Sequence, residues 1–265
     1  GDVTTSPDVN GNYWNNIGYS STAPTNGTRV DNLVTVENRL TGIGVQLTSA
    51  GWGANGLANG GLFAPYGPSN SLLGNFAIQT ATEDYMFPVA STGQSFKVTG
   101  LNSSRTYNLR FFGTRSNSTA RTTRYTVGSA TVDLETSGPA SGYSSTNRND
   151  HLTAIITNVT PSGAGEIDVN VKGLVNESGS YFGYIGILEI HEVPQDARTF
   201  TVTNTGNRAM TLGKVAISGT GTSDFVVVSQ PSITLAPSNS TTLMIRFDPT
   251  VVGLRTAVVS FATSD

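Results

Sequence analysis

The sequence predicts an all-β protein built of antiparallel sandwiches, and three observations predict it. Charged residues make up only 12% of the 265-residue chain, and Lys and Glu give way to Thr, Ser, Asn and Val. β-Branched residues lose side-chain freedom in a helix but fit the pleated surface of a strand. Apolar residues alternate with period two over short runs, the pattern of strands with one buried face. Between these runs, clusters drawn from 30 Gly and 11 Pro, with Asn and Ser, punctuate the chain with turns.

In chain order, Ile43, Val45 and Leu47 share one parity and predict a strand. Phe96 with Val98, Tyr107 with Leu109 and Phe111, and Ile167 with Val169 and Val171 predict three more. Turns at Thr99-Gly100-Leu101-Asn102-Ser103-Ser104 and Pro161-Ser162-Gly163-Ala164-Gly165 fall where a sandwich needs them. The stretch from Gly51 to Asn75, rich in Gly, Asn and Pro around Trp52, Phe63 and Tyr66, predicts a long loop across a sheet end, where function often sits. A strand from Tyr181 to Glu192 follows, and Val193-Pro194-Gln195-Asp196 then interrupts the pattern. Pro194 cannot donate to a ladder, so a boundary is expected that divides the chain into 1–193 and 194–265. The second part carries five strand-like runs: Phe200 to Val202, Met210 to Ile217, Phe225 to Val228, Thr242 to Phe247 and Arg255 to Phe261. They predict an immunoglobulin-like sandwich, incomplete if one more strand belongs after Asp265.

Composition also excludes partners. Lys and Arg number 15 and Asp and Glu 18, a net charge of -3, too balanced for binding to phosphate backbones, so nucleic acid is not expected. No apolar run approaches the ~18 residues of a membrane span, and Gly1 opens no charged-then-apolar leader. The expectation is a mature chain with no membrane insertion. The absence of Cys excludes a disulfide framework and thiolate zinc, and leaves the compartment open.

Two resemblances refine the fold. Phe200-Thr201-Val202-Thr203-Asn204-Thr205-Gly206-Asn207, then Ile217-Ser218-Gly219, Ser223-Asp224-Phe225 and Phe247-Asp248-Pro249 followed by Gly253, resemble bacterial choice-of-anchor D domains, which belong with the Hydin-type immunoglobulin-like modules. That resemblance implies a secreted or cell-surface protein in which this domain spaces or displays something else. Tyr13-Trp14-Asn15-Asn16, Gly100-Leu101 with Tyr107-Asn108-Leu109, Phe111-Phe112-Gly113-Thr114-Arg115, Arg124-Tyr125-Thr126-Val127 and Tyr181-Phe182-Gly183-Tyr184-Ile185-Gly186 are similar to motifs of galactose-binding-like jelly-roll modules of secreted bacterial polysaccharide-active enzymes and esterases. This second resemblance implies a jelly-roll β-sandwich, a non-catalytic carbohydrate-binding role, and further domains in the same parent chain.

Sugar recognition needs a flat aromatic face for the C–H side of the ring and planar polar groups for its hydroxyls. Trp14, Asn15, Trp52, Arg115, Arg124, Tyr143, Asn147 and Asn149 are the expected ligand-binding residues, with Tyr66 and Arg121 of the same chemistry nearby in sequence. Each has a structural alternative. Trp14 could instead close the sandwich end as a half-buried aromatic, and Arg115 and Arg124 could serve in surface ion pairs or strand caps. Basic residues gather from Arg105 to Arg124 in an otherwise acidic chain, which suits an anionic or sulfated polysaccharide. Tyr107 and Tyr125 sit mid-strand and read as core.

Catalytic chemistry is poorly supplied. Gly51-Trp52-Gly53-Ala54-Asn55-Gly56 has dinucleotide-binding spacing, but Gly60-Gly61, Pro65 and Pro68 leave no helix to face a pyrophosphate. There is no Gly-x-Ser-x-Gly elbow, and Glu83-Asp84, adjacent residues expected on a strand, would point to opposite faces. His191, at the end of a strand, reads as linker packing. The chain is therefore not expected to be an enzyme. Asp2, Asp8, Asp31 and Glu189 are acids that could hold a structural calcium or simply be solvated, and no other cofactor is expected. The rival to glycan binding is a purely structural or adhesive spacer.

Overall fold

The alternating apolar positions become the inward faces of antiparallel sheets in the computed structural model of the chain, which describes residues 3–17, 24–55, 61–62, 67–138, 147–174, 179, 181–193, 197–232, 234–248 and 253–264. The fold is all-β, as composition and alternation predict, and it divides into two units, Gly1–Val193 and Pro194–Asp265.

The first unit contains β1 (Arg29–Val30), β2 (Gly44–Leu47), β3 (Trp52–Asn55), β4 (Tyr85–Pro88), β5 (Gln94–Thr99), β6 (Thr106–Phe112), β7 (Arg121–Val127), β8 (Ala130–Ser137), β9 (Ala154–Val159), β10 (Ile167–Gly173) and β11 (Ile187–Val193). One sheet has the order β1-β2-β5-β10-β7-β8 and the other β11-β6-β9, while β3 and β4 form a separate ribbon. The parity seen in the sequence decides the core. Val45, Leu47, Phe96, Val98, Val169 and Val171 from the first sheet bury themselves with Leu109, Phe111 and Ile156 from the second. Each such side chain contributes about 1.5–3 kcal/mol on burial. Phe111 stacks on Tyr125 across the sandwich at 4.3 Å with planes 6° apart.

Phe111 and Phe112 are neighbours on β6 and must point to opposite faces, yet both are fully buried. The second face is covered by two short helical turns, α1 (Asn70–Leu73) and α2 (Gln79–Thr82). Leu73, Phe76, Ile78 and Ala81 of this region pack with Leu62, Phe112 and Ile187 into a satellite cluster.

Three expectations change in the first unit. The loop expected over Gly51 to Asn75 contains strand β3, while Phe63 and Tyr66 lie outside the described residues. Glu83 and Asp84 follow α2 and precede β4, so they are not strand neighbours. The strand expected from Tyr181 to Glu192 joins its ladder only from Ile187; residues 181–186 run outside it, apart from a single bridge of Ile185 to Met86. Residues 194–196 of the expected linker lie outside the described residues.

The second unit contains β12 (Ala197–Thr203), β13 (Met210–Thr211), β14 (Ala216–Ser218), β15 (Phe225–Ser229), β16 (Thr234–Leu235), β17 (Ser240–Phe247) and β18 (Val258–Ser260). The sheets are β12-β17-β15, β13-β16 and β14-β18. The run expected as one strand from Met210 to Ile217 splits in two, because Met210 pairs with Leu235 while Ile217 pairs with Val259. Two small cores result, Met210 with Leu212 and Leu235, and Val215 with Leu243 and Ile245; Val202 and Phe261 pack against both. Among the described residues no helix is long and apolar enough to cross a membrane.

Candidate binding site at the end of the first sandwich

Strand β7 places Arg121, Thr123 and Tyr125 on one face, and all three reach the segment 181–186. The Tyr125 hydroxyl donates to the Tyr184 carbonyl at 2.6 Å, and the Tyr184 amide donates to Thr123 Oγ1 at 2.7 Å. Side chains thus satisfy a buried N–H and C=O that would otherwise need a neighbouring strand, and the segment can leave the ladder without cost. Glycine permits the close approach. A Cβ at Gly113 would stand 2.2 Å from the Tyr184 carbonyl oxygen, and one at Gly173 would stand 2.3 Å from that of Tyr181. At the open end of the same face, Arg121 Nη1 donates to the Tyr184 hydroxyl, and the guanidinium lies 4.9 Å from the centre of the Phe182 ring.

A bulge fixes the second arginine. Arg121 faces Ser137 while Thr122 faces Glu135, so Thr136 is an extra residue in β8. Its carbonyl accepts the Arg115 amide at 3.0 Å, and its hydroxyl donates to the Arg121 carbonyl at 3.0 Å. One displaced residue therefore holds the backbone at both arginines. Arg115 Nη1 then donates to the Tyr85 hydroxyl at 3.3 Å. Both guanidiniums flank one ring, at 5.8 Å for Arg115 and 5.9 Å for Arg121 from the centre of Tyr184.

Tyr85 and Phe87 come from one face of β4. Tyr85 meets Tyr184 edge-on at 5.0 Å, and Phe87 lies 6.2 Å from both Phe182 and Tyr184. Phe87 lies against Gly53, where a Cβ would meet its ring at 2.3 Å, so the glycine after Trp52 serves ring packing in the ribbon. Tyr85 and Tyr184 are buried, Phe87 and Phe182 partly exposed, and Tyr181 beside them is 40% exposed.

The electrostatics of this cluster are one-sided. Elsewhere in the unit Arg29 pairs with Asp31, Arg105 with Glu192, Arg110 with Glu189 and Arg124 with Asp133. Among the described residues no carboxylate pairs with Arg115 or Arg121, and the Nε–H of each is shut off from water with no acceptor. An unmet buried donor costs about 1–3 kcal/mol. A cation over an aromatic face returns about 0.5–2 kcal/mol, which leaves the arrangement short of an acceptor. Burial pushes the Tyr85 hydroxyl up to about 12 against the pull of Arg115, and burial likewise raises Tyr184 against Arg115 and Arg121. Both phenols stay protonated at neutral pH.

The residues expected to bind ligand fall in several places. Arg115 is in the cluster. Asn149 lies fully buried beneath it, its amide donating to the Gly113 and Leu152 carbonyls at 3.0 and 2.9 Å while its oxygen accepts the Leu152 amide at 2.8 Å. The carbonyl of Asn147, a residue with φ +51°, accepts the Gly138 amide at 3.3 Å. Trp52 is 3% exposed in the main core, with its indole N–H unpartnered. Arg124 lies on the outer face of its sheet in a two-pronged pair with Asp133, 2.8 Å on each side. Trp14 packs against the satellite cluster and donates Nε1 to Asp8 at 2.8 Å. Asn15 exchanges hydrogen bonds with the Val34 backbone at 2.8 and 2.9 Å, acting like a strand partner. Tyr143 lies outside the described residues. Tyr85, Phe87, Phe182 and Tyr184 were not singled out from the sequence as binding residues. The signal that could have found them is the shared parity of Arg121 with Thr123 and Tyr125.

The acids considered for calcium are engaged individually. Asp8 accepts the Asn10 and Asn12 amides at 2.8 and 2.9 Å as well as Trp14; burial pushes its carboxyl up, but these donors outweigh it and hold it below its ordinary value. Asp31 and Glu189 face arginines, and Asp2 lies outside the described residues. Among the described residues no three His, Asp or Glu side chains gather around a common point.

The second unit's motifs prove to be structural corners. Asn204 is buried and donates to the Arg208 and Leu235 carbonyls at 2.7 and 2.9 Å while accepting the Gly206 amide at 2.9 Å. Asp224, also buried, pairs with Arg255 at 2.8 Å, and its carbonyl accepts the Asp248 amide at 2.7 Å. Residues 184–265 match the HYDIN/CFA65/VesB-like, Ig-like domain family. The match to this Ig-like domain starts at Tyr184 and takes in β11 as well as the second unit. Neither the curated proteins nor the solved structures compared with the chain give a match.

Proposed function

We propose that residues 1–193 act as a non-catalytic carbohydrate-binding module, with the Ig-like unit as a spacer, in a larger secreted or cell-surface protein. The observation that carries this reading is the arginine–aromatic cluster at the sandwich end. Arg115 and Arg121 offer forked donors, while Phe87, Phe182 and Tyr181 offer partly exposed rings against which the C–H face of a sugar can stack. The module resemblance drawn from the sequence points the same way.

The test is retention of the whole chain on affinity gels that contain a panel of polysaccharides. At least one polymer should retard the wild type, and the Arg115→Ala/Arg121→Ala protein should run freely while keeping its far-ultraviolet spectrum. Free migration of the wild type on every gel, or unchanged retention of the folded double variant, contradicts the reading. A second reading, a spacer with no ligand, is favoured by the Ig-like match, and it predicts free migration throughout.

A further inference from the structure

Resting on the glycan-binding reading, we infer that the cluster takes an acidic sugar, whose carboxylate or sulfate is held by the guanidiniums of Arg115 and Arg121 beside the Tyr184 ring. The donor inventory decides the ligand class. Two guanidiniums carry five N–H donors each and no acceptor, and the Tyr85 and Tyr184 hydroxyls each accept an arginine N–H. A neutral sugar presents hydroxyls that donate as well as accept, and sites for neutral sugars therefore need carboxylate or amide acceptors. Among the nearby amides, Asn149 spends both its nitrogen and its oxygen on backbone, and the Asn117 oxygen accepts the Thr119 amide at 2.9 Å. Glu83 and Asp84 precede Tyr85 but neither pairs with Arg115 or Arg121. A surface of donors with two positive charges and no counter-charge among the described residues is complementary to an oxyanion, and the planar fork of arginine suits carboxylate and sulfate oxygens.

The contrast inside the unit argues against chance. Arg29, Arg105, Arg110 and Arg124 face carboxylates, whereas Arg115 and Arg121, which face none among the described residues, are brought to one aromatic ring by the β8 bulge and the β7 parity. Surface charges find partners by proximity alone, whereas this pair is built in and, among the described residues, left uncompensated.

The experiment uses the whole chain and four polymers: polygalacturonate, its carboxyl-reduced derivative with the same backbone, a sulfated galactan and a neutral galactan. Affinities are measured by titration at low and raised salt. The expected result is binding of the polygalacturonate, the sulfated galactan or both, weakened by salt, with loss on carboxyl reduction wherever the uronate is the ligand. Arg115→Gln and Arg121→Gln should each weaken binding about tenfold or more, as expected for a hydrogen bond to a charged group. Melting temperatures identify any variant that has lost its fold, and Arg121→Lys, which keeps the charge, should retain part of the affinity. Retention by uronate alone or by sulfate alone identifies the source of the oxyanion. Salt-insensitive binding of neutral polymers alone overturns the inference and leaves the glycan-binding reading standing. Binding of no polymer overturns both. Binding of acidic polymer that the folded Gln variants do not weaken overturns the assignment to these arginines.

Discussion

Arg121 and Arg124 stand three residues apart on the same strand and meet opposite fates. Arg124 points to the outer face, directly across the β7–β8 hairpin from Asp133, and forms a solvent-exposed two-pronged ion pair. Arg121 points to the inner face at the strand's first residue, where the sandwich opens, and lies over Phe182 and Tyr184 with no acid among the described residues. The residue type is the same, so strand parity and position make the difference. An outward arginine is neutralised by its cross-strand neighbour, whereas an inward arginine at a strand end is sealed against rings and keeps its charge for something else.

Breaking the segment 181–186 should have the largest effect. Gly113→Ala puts a methyl against the Tyr184 carbonyl and is expected to cost about 3 kcal/mol by denaturant titration, with loss of polysaccharide retention. Next, Tyr125→Phe keeps the stacked ring but leaves the buried Tyr184 carbonyl without its donor, for an expected loss of about 1–3 kcal/mol. The comparison itself is sharpened by Arg121→Ala against Arg124→Ala. The first should abolish retention with little change in melting temperature, and the second should leave both unchanged, since exposed ion pairs contribute little.

The smallest effect concerns the other end of the sequence-based expectation, Trp14. Because its donors hold the Asp8 carboxyl below the ordinary value, the turn they share gains stability that is present above about pH 3.9 and is lost as the pH falls through the folded-state value. In a Trp52→Phe background, Trp14 emission should shift to the red only on acidification below that range. An Asp8→Asn variant, whose side chain does not titrate, should show no such acid step.

Much of the fold was legible because period-two alternation is a local signal. Val45, Leu47, Phe96, Val98, Leu109 and Phe111 could be assigned inward from spacing alone. The Arg124–Asp133 pair was not: Arg124 was expected to bind ligand, with an ion pair only as the alternative, and the cross-strand partner that holds it emerges from the β7–β8 register. The end of the expected strand at Tyr181 was not. Its aromatic and apolar residues suit a strand, but Tyr184 has its backbone satisfied by Thr123 and Tyr125, residues distant in sequence, and no local pattern announces that substitution. Trp14 and Trp52 stood out for their chemistry, yet a large indole is as much a packing unit as a sugar platform. Trp52 is in the main core and Trp14 on the satellite cluster. The cluster also depends on the bulge at Thr136, a single-residue shift in register that composition and spacing do not encode.

The most direct measurement is of the arginine side-chain N–H resonances by nuclear magnetic resonance, with an oligogalacturonate titrated into the isotopically labelled chain. The account predicts that the Nε–H signals of Arg115 and Arg121 shift in saturable fashion with one common affinity while that of Arg124 stays in place. Shifts confined to Arg124 or to the Trp14 indole, with Arg115 and Arg121 unmoved, would contradict it.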